Sequence, residues 1–330
     1  MSQQINFINQ CKERVSDGNF ASDLAELIGV NVDAAYRRIR GATALTYDEI
    51  EKMCTHYNIS FDSILNYKGS LVPFQFNAMF QPDFSIEAYL QNIANQLKDL
   101  TTTEDSKFVI TAMDLPYFRQ FGYKGLSRFK LFFWQRSVLN LESYKRKKFE
   151  VREEDDNFDL LTKSIFEDYN RIESTEIWTP QTIDSSIKQI QYYLESGLFV
   201  DNDIVYQLCD ELEDLLMQAE QQAEFGRKSF QNENGVFSAK FAMYQSDIFL
   251  SNNSIQAYKD DRIFTYVSFN SFNSLMSFAP AFANDCHEWI EQIRTKSILL
   301  SEVSEKLRFQ YFMGLRKKIN ALRQLVPELV

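Results

Sequence analysis

The stretch FASDLAELIGVNVDAAYRRIRG, residues 20 to 41, constrains the fold more tightly than any other part of the chain. Leu24, Ala25, Leu27 and Ile28 follow the three- and four-residue spacing of one helical face, and Gly29 stands where such a helix stops and turns. After Val30 and Asn31, the segment 32–40 predicts a second short helix. Ala35 and Ile39, four apart, form its apolar side, and Asp33, Tyr36, Arg37 and Arg40 lie away from it. Gly41 ends it. Two short helices across a glycine turn, with the small Ala25 where they approach, have the geometry of a helix-turn-helix.

The neighbouring sequence extends the unit. In TYDEIEKMCTHYNI, Thr46 and Glu49 make a capping box, and Ile50 and Met53 continue an apolar face. SFDSIL, residues 60–65, predicts a last short helix through Phe61, Ile64 and Leu65. Five short helices within residues 1–68 are therefore expected. With 10 Gly, 6 Pro, 29 Phe and 16 Tyr in 330 residues, the chain has the material for filled interiors and is too poor in turn formers for an all-β or disordered architecture. Its length suits about two domains.

LAELIGVNVDAAYRRIRG…LTYDEIEKMCTHYNISFDSIL resembles the DNA-binding domain of the phage-repressor class (lambda repressor and Cro, the XRE type), over about residues 5–67. The shared features are the LA dipeptide, the GV turn, the glycine after the second helix and a terminal helix carrying Ser60, Phe61, Asp62 and Leu65. Where members of that class often carry a hydroxyl or amide, this chain has Val32, Asp33 and Ala34. The resemblance implies that Val32, Asp33, Tyr36 and Arg37 face base edges and that Arg40 lies near phosphate. The side chains suit those roles: arginine can grip guanine with two hydrogen bonds, valine can touch a thymine methyl and aspartate can accept from cytosine N4.

Past Lys68, GSLVPFQFNAMFQPDFS has no helical period, so the sequence divides into a helix-turn-helix domain (1–68), a linker (69–82) and a C-terminal domain (83–330). Residues 84–100 read as a helix and SKFVITA, 106–112, as a strand. The aromatic run through Leu126, Phe129, Phe133 and Trp134 reads as core helix. YKRKKF, 144–149, is a basic cluster that suits either phosphate contact or a solvated helix end. Val205, Leu208, Leu212, Leu215 and Ala219 form a seam on a helix over 202–224, for a second subunit or for the domain's own bundle. Beyond Gly235, alternation through Phe237, Ala239, Phe241 and Met243 begins a three-stranded antiparallel meander that continues through SIQAY and IFTYVSF. Two helices, near 285–298 and 302–326, close the chain. The expected class is mainly α: an all-α five-helix domain, then a helix-rich α+β domain with a small antiparallel sheet.

LPYFRQFGYKGLSRFKLFFWQ, STEIWT and TKSILLSEVSEKLRFQYFMGL are similar to segments of a group of uncharacterised bacterial regulators that join a repressor-type helix-turn-helix to a long C-terminal part. That similarity implies regulation and names no ligand.

The net charge of −11 opposes nonspecific coating of nucleic acid, which runs on phosphate attraction. Residues 1–68 carry seven basic side chains against nine acidic ones, so basic charge there is local, concentrated at Arg37, Arg38 and Arg40. Cys11, Cys54, Cys209 and Cys286, with two histidines in the chain, make neither a metal-ligand spacing nor a disulfide framework. The N-terminal residues lack the apolar core of a signal peptide, and the uncharged run 263–284 is too rich in Ser and Asn for a membrane span, reading instead as buried strand, turn and helix start. No phosphate loop, metal motif or nucleophile elbow is present, so neither catalytic residues nor a cofactor are expected. The expectation is a cytoplasmic, sequence-specific transcription regulator. Its partners are a double-stranded DNA operator, a second copy of the chain and a small-molecule or protein effector at the C-terminal domain. The alternative is a protein-interaction module that keeps the helix-turn-helix fold without binding DNA.

Overall fold

The computed structural model describes residues 3–12, 14–15, 19–57, 59–61, 72–81, 84–151, 156–232, 235–248, 250 and 252–328. The chain divides into two compact units, Met1–Phe74 and Gln75–Val330, which meet inside the segment expected as a linker.

In the first unit, four helices are described: α1 (Gln3–Lys12), α2 (Phe20–Ile28), α3 (Val32–Ile39) and α4 (Tyr47–Tyr57). Phe7, Ile8, Leu24, Ala25, Ala35, Met53 and Tyr57 fill its core, so the apolar stripe of each helix faces the same interior. The capping box forms as expected: Thr46 N–H donates to Glu49 Oε2 at 2.9 Å and Glu49 N–H to Thr46 Oγ1 at 3.3 Å. The fifth helix expected over 60–65 falls largely on residues outside those described.

The second unit is built on one eight-stranded mixed sheet. In chain order its elements are α5 (Ile86–Thr101), β1 (Lys107–Ala112), α6 (Tyr117–Gln120) and α7 (Lys124–Phe133), the last running into a π-helical turn, Trp134–Val138. Next come α8 (Asp156–Arg171), β2 (Glu173–Trp178), α9 (Asp184–Glu195), α10 (Asp203–Phe225), β3 (Arg227–Asn232) and β4 (Gly235–Gln245). The rest are β5 (Ser254–Lys259), β6 (Arg262–Phe269), β7 (Asn273–Ser277), α11 (Pro280–Thr295), β8 (Ile298–Leu299) and α12 (Glu305–Leu325).

The strand order is β3-β4-β2-β1-β5-β6-β7, with β8 pairing the end of β4. β2 runs parallel to both β1 and β4, so helical crossovers connect these central strands. β5, β6 and β7 form an antiparallel meander on β1, and Gln75 exchanges two backbone hydrogen bonds with Met276 of β7, at 2.7 and 2.8 Å. Side chains alternate across the sheet. Phe108, Ile110, Trp178, Phe241 and Met243 join the large core with the buried faces of α5, α7, α8, α10 and α12, whereas Ile177, Ile290 and Ile293 make a smaller core on the other side.

The fold-class expectation of a mainly α chain with a small antiparallel sheet is thus corrected: the sheet is large, mixed and the backbone of the second unit. The reason lies in β2, whose inward positions are Ser174, Glu176 and Trp178, so the strand at the middle of the sheet lacks the apolar run that betrays a buried parallel strand. Without β2, β4 reads as the first strand of a meander, although β2 and β1 separate it from β5. The meander's third strand is β7, which lies in the run 263–284. The α10 seam is fully buried within the unit, packed partly along α12, so that stripe serves the intramolecular core.

Glu176 is the centre of a buried polar cluster. Its Oε1 accepts from Arg119 Nη2 at 3.0 Å and from the Tyr169 hydroxyl, and its Oε2 accepts from Arg119 Nε at 3.0 Å and Trp178 Nε1 at 2.8 Å. Arg119 Nη1 donates to Gln222 Oε1 at 2.9 Å, and Gln222 passes the chain on to Asn170. Lys228, also buried, donates to the Tyr169 carbonyl at 2.6 Å and lies 3.8 Å from the centre of the Tyr169 ring. Burial, reinforced by the charge of Arg119 and opposed by Glu176, drives the Lys228 ammonium well below its ordinary pKa.

Candidate nucleic-acid interface

The turn between α2 and α3 is fixed by its backbone. Gly29 takes the left-handed conformation, φ 73°, and Val30 N–H reaches back to the Ala25 carbonyl at 2.9 Å, closing α2 with a Schellman-type end. Two residues later Asn31 caps α3, its Oδ1 accepting from Ala34 N–H at 2.8 Å. Asn31 therefore sets where α3 begins.

Ala35 is buried, and Ile39 packs against the same core. On the opposite side Val32, Asp33, Tyr36 and Arg37 are exposed, and so is Arg40 at the helix end. Four of the five residues expected at a DNA surface therefore lie on the solvent side of one eight-residue helix, and the fifth, Arg40, is exposed at its C-cap. Val32 and Tyr36 are 41% and 42% exposed, high for large apolar side chains on a small unit. Among the described residues the Arg37 guanidinium has no hydrogen-bond or ionic partner, and Arg40 makes one long hydrogen bond, 3.4 Å, to the Tyr36 carbonyl.

Arg38 behaves differently from its two neighbours. It turns inward to Glu49 of α4 in a forked ion pair, 2.8 Å at the closest, and also donates to the Ala34 carbonyl at 3.3 Å. Burial works against the Glu49 charge, but the Arg38 and Thr46 hydrogen bonds outweigh it and hold the carboxyl pKa below its usual value. Gln4 completes the support. Its amide nitrogen donates to the carbonyls of Arg38 and Thr43, both at 2.8 Å, while its oxygen accepts from Leu45 N–H at 3.1 Å. α1 thereby holds the loop that follows α3. Sequence reading finds the exposed face and misses Asn31, Arg38, Glu49 and Gln4 as its supports. Asn31 has a sequence signal, an N-cap residue ahead of a helix-forming run, and Glu49 has one only for its capping box with Thr46, not for its hold on Arg38.

The other sequence candidates do not join this surface. Residues 142–146 form a turn, with Lys145 paired to Glu142 at 2.5 Å and Lys147, just past it, over the Tyr144 ring. Phe149 is buried and bridges Phe199. His287, on α11, shares a 2.8 Å hydrogen bond with Tyr258. Burial pushes the thiols of Cys11 and Cys209 up to about 12, with the charges of Cys54 on the first and Asp210 and Glu213 on the second adding to it and Arg323 opposing at Cys209, so neither is a ready nucleophile. Among the described residues no group of three His, Cys, Asp or Glu side chains is placed to hold a metal ion, and no helix is long and apolar enough to cross a membrane.

Compared with protein-family models, curated proteins and solved structures, the chain matches none. The functional reading therefore stands on the geometry of α3 and on the motif that builds it.

Proposed function

We propose that the chain is a cytoplasmic, sequence-specific DNA-binding transcription regulator that presents α3 to the major groove. One observation carries this reading. Val32, Asp33, Tyr36, Arg37 and Arg40 project to solvent from one helix face, while every inward group of that helix is packed, capped or ion-paired. An arginine with no partner among the described residues is a donor set aimed elsewhere, and guanine and phosphate are its usual complements.

A single short helix reads only a few base pairs, so adequate specificity calls for two copies about 34 Å apart along the duplex. The second unit is the source proposed for that pairing. Its α10 seam is spent internally, whereas Phe309 and Met313, four apart on α12, face outward.

Fluorescence anisotropy with duplexes drawn from the region upstream of the chain's own gene tests the reading. Expected is one duplex bound far more tightly than unrelated DNA, with affinity falling as salt rises by roughly one counterion per phosphate contact. If wild type, Arg37→Ala and Arg40→Ala bind every duplex alike at low salt, the first unit is an interaction module for another protein.

A further inference from the structure

α10 and α12 lie side by side and run in opposite directions, since Glu220 pairs with Arg316 at 2.6 Å and Glu213, two turns earlier, pairs with Arg323, two turns later, at 2.9 Å. Their charges are sorted. α10 carries seven carboxylates and no basic side chain, whereas α12 carries six basic side chains and one carboxylate. Contacts within the chain use part of this: Arg323 also takes Asp210, Glu211 caps the start of α7, and Lys318 pairs with Asp184. Among the described residues Asp214 and Glu224 of α10 and Lys306 and Lys317 of α12 make no ion pair, and all four are exposed.

Two stripes flank the seam on its solvent side. On α10, Glu213, Met217, Glu220 and Glu224 succeed one another at helical spacing, as do Phe309, Met313 and Arg316 on α12. Met217, Phe309 and Met313 are exposed beside the ion pairs. An apolar centre is thus set in a rim that is acidic on one helix and basic on the other, the anatomy of a protein interface.

That layout selects a second copy of the chain. A two-fold axis along the helices lays α10 of one copy on α12 of the other, acid against base, twice over; an axis across them would set like charge on like. The ion pairs also fix the level. Lys317 stands beside the turn from Met217 to Gln221, so across such an axis it falls between Asp214 and Glu224 of the other copy. Helices of 23 and 21 residues give a face of about 30 Å by about 20 Å. Two copies would bury about 1,200 Å² in all, the lower edge of the range for a specific dimer.

We infer that this face joins two copies of the chain in an antiparallel four-helix contact, α10 of each against α12 of the other. Such pairing rests on the functional reading above, which calls for two joined recognition helices, and it is measured without DNA.

Sedimentation velocity of the full chain tests it. Wild type should be a dimer in the micromolar range. Lys317→Glu, which sets a carboxylate against Asp214 and Glu224, should weaken pairing by about tenfold or more, and so should Asp214→Lys combined with Glu224→Lys. Mixed in equal amounts, the two variants should pair as wild type does, because each contact again joins opposite charges. All three positions are exposed and tolerate exchange, and Lys163→Glu on the exposed face of α8 should leave pairing unchanged. A wild type that stays monomeric throughout the micromolar range, variants that pair as tightly as wild type, or a mixture that remains monomeric would each overturn the assignment. The two readings fail separately: a chain that pairs yet binds no duplex removes the DNA reading alone, and one that binds its duplex as a monomer removes this one.

Discussion

Arg119 and Arg37 show one guanidinium in opposite settings. In the second unit Arg119 is buried, gives its donors to Glu176 and Gln222, and lies over the rings of Tyr169, Trp178 and Phe241. In the first unit Arg37 stands in water on a helix whose other face is packed, with no partner among the described residues. The Arg119 cluster is closed: the carboxylate accepts four hydrogen bonds and has no capacity left for a ligand. The α3 face is open, its donors held in place but unspent. Polar groups satisfied inside the chain specify its fold, and polar groups left over on a rigid support are available for recognition.

The comparison breaks most sharply at Glu176. Glu176→Leu leaves Arg119 buried without its counter-charge and should destabilise the second unit by about 3–5 kcal/mol. Denaturant melts followed by tryptophan fluorescence report this unit alone, since Trp134, Trp178 and Trp289 all belong to it. A loss under about 1 kcal/mol would mean that water or another carboxylate relieves the unpaired Arg119. At the open face, Arg37→Ala should lower affinity for the preferred duplex by about 1–3 kcal/mol and relax its sequence preference. The fold should hardly notice. An Arg37→Ala change that shifts stability by more than about 0.5 kcal/mol would place this side chain with Arg119 and remove the contrast.

Smaller effects sharpen it. Asn31→Ala removes the α3 cap and should cost about 1 kcal/mol of first-unit stability, read by hydrogen exchange in α3, with DNA affinity falling as the helix start frays. A cap that mattered only to stability would leave the affinity of the folded fraction unchanged. The finest test is pH. Lys228 titrates below its unfolded value of about 10.4, so the unfolded chain binds the extra proton between the two values. The stability tied to this group is therefore complete above about pH 10.4 and is lost as pH falls through the lowered folded value. Lys228→Met should flatten the rise of second-unit stability with pH, and an unchanged slope would show the amine charged in the fold.

Legibility in the sequence followed locality. Gly29, Ala35 and the Thr46–Glu49 box are signals that act within one or two helical turns, and the helices lie where they point. The outward face of α3 was readable for the same reason, because a helix with one apolar side has only one side left. Its support by Gln4 and Glu49 was not, since those hydrogen bonds join residues 11 to 41 positions apart. The sheet failed on the same ground. β2 lies between β1 and β4, far from each in sequence, and its inward Glu176 is tolerable only because Arg119, 57 positions away, meets it. No periodicity records a partner of that kind.

The pairing of Gln75 with Met276 bears on where this protein can be cut. Those two backbone bonds shield the outermost strand of the meander, whose other neighbour is β6. A fragment begun at residue 83, the boundary suggested by sequence, would strip that cover and leave β7 as a template for strands of other molecules. It should self-associate in light scattering at concentrations where a fragment begun at residue 72 stays dispersed. The few residues from Gln75 to Gln81 thus act as a guard against aggregation, and the second unit starts with them.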